Sequence, residues 1–227
     1  MIPLDPRIAR GTTRMLERRA VVLASGVGHL GWKVGFGAPA ALAALELDRP
    51  LVGFLTGDRL LADGDAVDIS GWKRPVLEAE VAAHIGRTVE VASSASTASA
   101  AVRAWSVALE LADVDLPPDD VEAIVAGNIF HRYVVLGPEV TSCPPSLSFT
   151  VLRDGSAVAT TSTPEALTGD RGMVLAAVAD TLGRSGASLS AGDVVITGSV
   201  VAPIDVSDGG HWVVAAPGLG EVAVALG

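Results

Sequence analysis

The stretch Arg74-Pro75-Val76-Leu77-Glu78-Ala79-Glu80-Val81-Ala82-Ala83 decides how the chain reads. Alternate residues of a β-strand share a face, so Glu78 and Glu80 point one way and Leu77, Ala79 and Val81 the other. Apart from that pair the run is apolar, as in a strand buried on both sides. Two carboxylates one pleat apart in such a place repel each other and lose hydration. They need a cation, or one must stay protonated. A divalent metal is the simplest cation. Periodicity alone also fits a commoner arrangement, a half-exposed strand with a solvated acidic face.

Two further stretches carry chemistry. His29-Leu30-Gly31-Trp32-Lys33-Val34-Gly35-Phe36-Gly37 is short and punctuated by glycine, which suits a strand that another group approaches closely. Lys33 shares its face with Gly31 and Gly35, so nothing bulky hides its ammonium, while Trp32 and Val34 face the core. The alternative is an ordinary surface lysine lying over apolar neighbours. Trp105 to Ala112 alternates large and small residues, with Glu110 its only charge. A lone acid on the face of Ala108 and Ala112 leaves room for a ligand, which makes Glu110 a third candidate oxygen donor. His84 shares the face of Glu78 and Glu80 but lies roughly 13 Å beyond Glu80 at strand rise. That is too far to share a metal, and it reads as a strand-end histidine.

The bulk properties narrow the class. With 227 residues and 49% hydrophobic composition the chain has ample length for a core, and disorder is excluded. No apolar run reaches the roughly 18 residues of a membrane span. The N-terminus lacks the layout of a signal peptide. Cys143 is alone, so it reads as a free buried thiol, and a reducing cytoplasm fits. A net charge of −10 disfavours nucleic acid as a partner. An anionic substrate therefore needs a local cation. Asp63-Gly64-Asp65 lacks the spaced acids of a calcium loop and reads as a turn.

Asp5-Pro6 predicts a helix start, and Ile8, Thr12, Met15 and Val22 recur at helical spacing to about residue 25. Arg7, Arg10, Arg14 and Arg18 line its opposite, solvated face. Helices are also expected from Pro39 to Leu47, from the Ser93–Ser99 run to about Ala104, from Val121 to Ala126 and around Val174–Leu182. The rest alternates as strands, with a hairpin at Asp154-Gly155. The class is α+β, mainly β. No composition break marks a boundary, which gives one domain: a helix at 5–25 followed by a β-roll at 26–227.

Taken in order, Gly31-Trp32-Lys33-Val34-Gly35-Phe36, Gly53-Phe54-Leu55-Thr56-Gly57-Asp58, Pro75-Val76-Leu77-Glu78-Ala79-Glu80, Ala108-Leu109-Glu110 and Gly192 to Ser199 form a recognisable series. It resembles the 2-keto-4-pentenoate hydratase and 4-oxalocrotonate decarboxylase branch of the fumarylacetoacetate hydrolase superfamily, from about residue 5 to the C-terminus. The resemblance implies a mixed β-sandwich or roll of the fumarylacetoacetase C-terminal type and assembly into homo-oligomers, with a homologous enzyme as a further partner. It implies Mg²⁺ or Mn²⁺ held by Glu78, Glu80 and Glu110. Lys33 would meet the substrate carboxylate or shuttle a proton, and Asp58 would act as acid/base. Gly35, Asn128, His131 and the strand end Thr197, Gly198 and Ser199 would line the pocket. The implied chemistry is that of a small 2-oxo acid exchanging a proton at C3, with hydration of 2-hydroxypenta-2,4-dienoate in aromatic catabolism foremost.

This chain departs from the pattern at its substrate-facing rim. Relatives often read Asp-Asn-Ala-Ser where Gly127-Asn128-Ile129-Phe130 stand, Ser-Arg where Val114-Asp115 stand, and Thr in place of Gly37. They also usually begin with another helix. Such changes imply a different substrate or weakened chemistry. Three alternatives therefore stand beside hydration: decarboxylation of an oxalocrotonate-like diacid, hydrolysis of an acylpyruvate with His29 or His131 as the histidine, and a catalytically silent subunit that binds a partner enzyme.

Overall fold

The computed structural model describes residues 3–227. Its helices are α1 Pro6–Ala24, α2 Pro39–Leu45, α3 Ala95–Ser99, α4 Val121–Ala126, α5 Glu165–Thr168 and α6 Arg171–Arg184. The strands of the first half are β1 His29–Gly35, β2 Leu51–Thr56, β3 Leu60–Leu61, β4 Ala66–Val67, β5 Pro75–Ile85 and β6 Val102–Asp113. Those of the second half are β7 His131–Leu136, β8 Phe149–Arg153, β9 Ser156–Thr161, β10 Val194–Ser199, β11 Ile204–Asp205, β12 Gly210–Ala216 and β13 Gly220–Leu226.

The larger sheet runs β2-β1-β10-β5-β6-β7-β3, with β11 also on β5, and the smaller runs β4-β13-β12-β8-β9. The two edge strands of the larger path, β2 and β3, are consecutive in the chain and separated only by the 3-10 turn Gly57–Arg59. So short a link forces the sheet to curl until its edges approach. The result is a roll with an inner and an outer face.

Residue size sorts the faces. On the inner face Ala82 and Ala108 pack with Leu55, Val134 and Ile196. On the outer face of β5 and β6, Leu77, Val81, Leu109 and Leu111 pack against Trp212 and Val224 of the smaller sheet. The outer face of β1 and β2, with Trp32, Val34 and Phe54, is covered by helix residues that include Ile8, Met15 and Leu175. Alternation along β1 thereby sends Lys33 inward as its neighbours go outward.

Helix α1 starts where expected. Asp5 caps it by accepting the Arg7 amide at 2.7 Å, and Pro6 occupies its first turn. Of its arginine stripe, Arg10 and Arg14 both meet Glu122 on α4. The helix expected to reach Ala104 stops at Ser99 instead. Val102 and Ala104 are already paired with Ile85 and His84 across β5 and β6, and that long ladder overrides the helical propensity of the alanines.

Asp193 ties β1 to the start of β10. It accepts the Trp32 indole at 2.9 Å and the Ser190 amide at 2.9 Å, with His29 at 3.3 Å. Burial acts to raise its carboxyl, but His29, the Ser190 amide and Trp32 together hold it below its usual value. A depressed carboxyl stabilises the fold above the unfolded pKa near 4 and loses that contribution as pH falls through the folded value. Asp193→Asn is expected to cost about 1.5–3 kcal/mol at pH 7. The gap to wild type should shrink toward pH 2 in urea titrations, and a gap independent of pH would contradict this assignment.

Candidate metal and substrate site

Strand register builds the site. Glu78 on β5 pairs directly with Glu110 on β6, while Glu80 sits opposite Ala108. One oxygen from each carboxylate lies within 4.8 Å of the others. Lys33 reaches them from β1, its Nζ 2.5 Å from Glu110 Oε1 and 3.0 Å from the Ile129 carbonyl. Gly53, opposite Lys33 on β2, makes room for this, since a Cβ there would lie 3.0 Å from Lys33 Cγ.

The ladder between β10 and β5 breaks between Ile196 and Ser199, where Gly198 adopts φ 100°. That bulge frees the Gly198 amide to donate to Glu80 Oε2 at 2.6 Å. His131 Nδ1 sits 2.7 Å from Glu110 Oε1, on the oxygen that Lys33 also holds. Glu80 Oε1 and Glu110 Oε2 are buried with no hydrogen-bond partner among the described residues. Buried carboxylate oxygens without partners are costly, and two aimed into one cluster fit a hard divalent cation.

Charge balance supports the same reading. Burial and Glu110 push the Glu78 carboxyl up to about 7, against the pull of Lys33. Burial, Glu110 and Glu78 raise Glu80 well above the carboxylate range. Burial also acts to raise Glu110, but Lys33 and His131 overcome it and hold Glu110 low. For Lys33, burial opposes the charge, yet the three carboxylates outweigh it and keep the ammonium protonated. One ammonium cannot neutralise three carboxylates; without a further cation the cluster must hold protons.

A cavity of about 610 Å³ opens onto this cluster. Lys33, Gly35, Glu78, Thr197, Gly198 and Ser199 line it. Three residues expected to act in or line the pocket are absent from the cavity wall. Asp58 lies on the exposed turn after β2, 3.5 Å from Arg59, because β2 carries the chain past Thr56 to the outer rim. Asn128 is buried and committed to Phe54, accepting its amide at 2.7 Å and donating to its carbonyl at 3.0 Å. His131 is buried behind Glu110 and lines no part of the cavity.

Other polar clusters are internally satisfied. His84 bridges Ser106 at 2.9 Å and Glu139 at 3.2 Å, but Ser106 is wholly buried. That geometry resembles a hydrolytic triad without access for a substrate. In a second cleft of about 430 Å³, Arg19 meets His29, while His29 and Trp32 meet Asp193. Cys143 is half-buried, and burial raises its thiol. No helix among the described residues is long and apolar enough to cross a membrane.

The family profile described as Fumarylacetoacetate (FAA) hydrolase C-terminal matches residues 33–226. The chain belongs to the fumarylacetoacetate hydrolase family. Within this family it is 30% identical over 209 residues to 2-keto-4-pentenoate hydratase 2 of Dechloromonas aromatica (strain RCB), covering 88% of this chain and 79% of that protein. It is 27% identical over 197 residues to a 4-oxalocrotonate decarboxylase of Pseudomonas sp, covering 81% and 73%. In fold it is similar to the 4-oxalocrotonate decarboxylase from Pseudomonas putida G7 complexed with magnesium and adipate. The TM-score is 0.86 at 24% identity, over 93% of this chain and 83% of that one. The fumarylpyruvate hydrolase from Pseudomonas aeruginosa, in complex with Mn²⁺ and pyruvate, superposes with a TM-score of 0.65 at 20% identity, covering 88% and 89%.

The structure also brings forward residues that the sequence reading left without a role. Phe36 and Arg74 line the cavity, as do Ile129 and Phe130 from the altered rim. The glycines before Phe36 and the proline after Arg74 marked unusual backbone, but no periodicity shows which way such side chains turn. Asn128→Ala would strip both Phe54 backbone groups of their partner. It should cost about 2–4 kcal/mol in urea unfolding. Wild-type stability in that variant would contradict a bracing role.

Proposed function

We propose that the chain is a divalent-metal-dependent lyase acting on a small 2-oxo acid, most directly the hydration of a 2-hydroxypenta-2,4-dienoate-type substrate. The observation that carries this is the pairing of unpartnered oxygens on Glu80 and Glu110 with Lys33, at the end of an open cavity. An all-oxygen donor set suits Mg²⁺ or Mn²⁺ better than zinc. A divalent ion bound there supplies a Lewis acid for the charge that develops on the 2-oxo oxygen when a proton leaves or joins the adjacent carbon.

The chain's own groups do the rest. A lysine ammonium has three donors; Glu110 and the Ile129 carbonyl take two, which leaves one for the substrate carboxylate. Because the surrounding carboxylates keep Lys33 charged, anchoring an anion suits it better than shuttling a proton. The Gly198 amide fixes one oxygen of Glu80 so that the other faces the cluster. His131 and Lys33 do the same for Glu110 by sharing Oε1. Asp58, the acid/base expected from the sequence, stands on an exposed turn outside the cavity wall, so a proton it carries would have to pass through water.

Hydrolysis of an acylpyruvate has less support. The histidines offered for it are tied up away from the cavity, His29 with Asp193 and His131 with Glu110. A silent subunit is disfavoured by an intact donor set beside an open cavity. With Mg²⁺ present, purified protein should consume 2-hydroxypenta-2,4-dienoate in an absorbance assay, and chelation should abolish the loss. Glu80→Ala and Glu110→Gln should each weaken Mn²⁺ binding at least tenfold by electron paramagnetic resonance and lower turnover more than 100-fold. Full activity in Glu80→Ala would remove the metal mechanism.

A further inference from the structure

Beside Lys33 and Glu78 the cavity also has an apolar wall, lined by Val76, Val114, Leu167, Phe36, Ile129 and Phe130. The rings of Phe36 and Phe130 lie 6.2 Å apart, tilted by 49°. All three of Phe36, Ile129 and Phe130 hold left-handed backbone, with φ of 57°, 50° and 64°. For non-glycine residues, and for β-branched Ile129 above all, that conformation is strained. The surroundings impose it. Ile129 donates its amide to the Ile124 carbonyl at 2.8 Å, and Phe130's carbonyl accepts the Asp113 amide at 3.0 Å. Gly35 leaves space for Ile129, since a Cβ at position 35 would lie 2.7 Å from Ile129 Cγ2.

Strain of this kind in three large apolar residues that line one cavity fits a role in ligand contact. Arg74 and Asp205 both line the cavity from exposed positions, as one cation and one anion open to water. Asp205 is held below the usual carboxylate range by the Ser207 hydrogen bonds and, more weakly, by Arg74. A volume of about 610 Å³ also exceeds what a five-carbon acid fills, since pockets of roughly 300–1,000 Å³ hold drug-sized ligands.

We infer that Phe36 and Phe130 form a tail subsite that selects 2-oxo acids with an uncharged, apolar substituent at the end remote from the 2-oxo carboxylate, and rejects those with a second carboxylate there. This rests on the 2-oxo acid reading above and assigns its substrate class. A second carboxylate would lose its hydration against the aromatic walls. An alkyl tail would gain roughly fourfold in affinity for each methylene buried.

Titration calorimetry on the Mg²⁺-loaded protein with pyruvate, 2-oxopentanoate, 6-methyl-2-oxoheptanoate and 2-oxoadipate tests this directly. Affinity should climb along the uncharged series. 2-Oxoadipate should bind at least 100-fold more weakly than 6-methyl-2-oxoheptanoate, which matches its shape without the charge. Phe130→Asn and Phe36→Asn keep a residue that tolerates left-handed backbone while removing the ring. Each should cut the preference for 6-methyl-2-oxoheptanoate over pyruvate at least tenfold. Pyruvate binding with a flat dependence on tail length, or tighter binding of 2-oxoadipate, overturns the subsite while leaving the metal reading standing. If no 2-oxo acid binds, pyruvate included, the proposed function falls and the subsite falls with it.

Discussion

One buried ammonium facing two buried carboxylates and a half-buried third is the constraint on which the rest of the structure depends. Lys33 and Glu110 are almost fully enclosed, and their contact at 2.5 Å is the shortest route by which that enclosure is tolerable. Burying a charge without a partner is far costlier than exposing it. The surrounding fold can be read as the set of conditions that keep this contact in place. Small residues at 53, 82 and 108 admit the side chains, and the direct pairing of positions 78 and 110 fixes the distance between carboxylates.

The same constraint explains why so few atoms at the site are free. Each carboxylate oxygen that is held is held by something rigid: a strand amide for Glu80, a buried lysine and histidine for Glu110. The oxygens left over on Glu80 and Glu110 are the ones proposed to meet the metal. Orientation by backbone and buried side chains loses little entropy when a ligand arrives, which is the general condition for a preorganised site.

Much of this was legible in the sequence, and the limits were physical. Alternation placed Glu78 and Glu80 on one face and Glu110 on a small-residue face, and the family resemblance joined the three into one site. The same logic sent Trp32 and Val34 to the core and Lys33 to the opposite, glycine-flanked face, which the fold turns inward. It failed where position depends on a turn rather than a period. Asp58 follows a strand end, and nothing local says that the 3-10 turn carries it out toward Arg59. Asn128, Ile129 and Phe130 form a run of left-handed residues that no propensity would assign to isoleucine and phenylalanine. The free Gly198 amide depends on a bulge whose partner strand lies 118 residues earlier.

That last separation bears on how the protein is made. Strand β10 inserts between β1 and β5, with Gly31 paired to Val194 and Ala83 to Val195. Until it emerges from the ribosome, the two strands that carry Lys33 and the glutamate pair have no shared neighbour and present bare edges to solvent. Of the acidic cluster, the Glu78–Glu110 pairing needs only β5 and β6, whereas the Gly198 amide that holds Glu80 waits for β10. Loop closure over such distances is slow, and a chain interrupted before residue 194 would leave sticky strands for chaperones to shield.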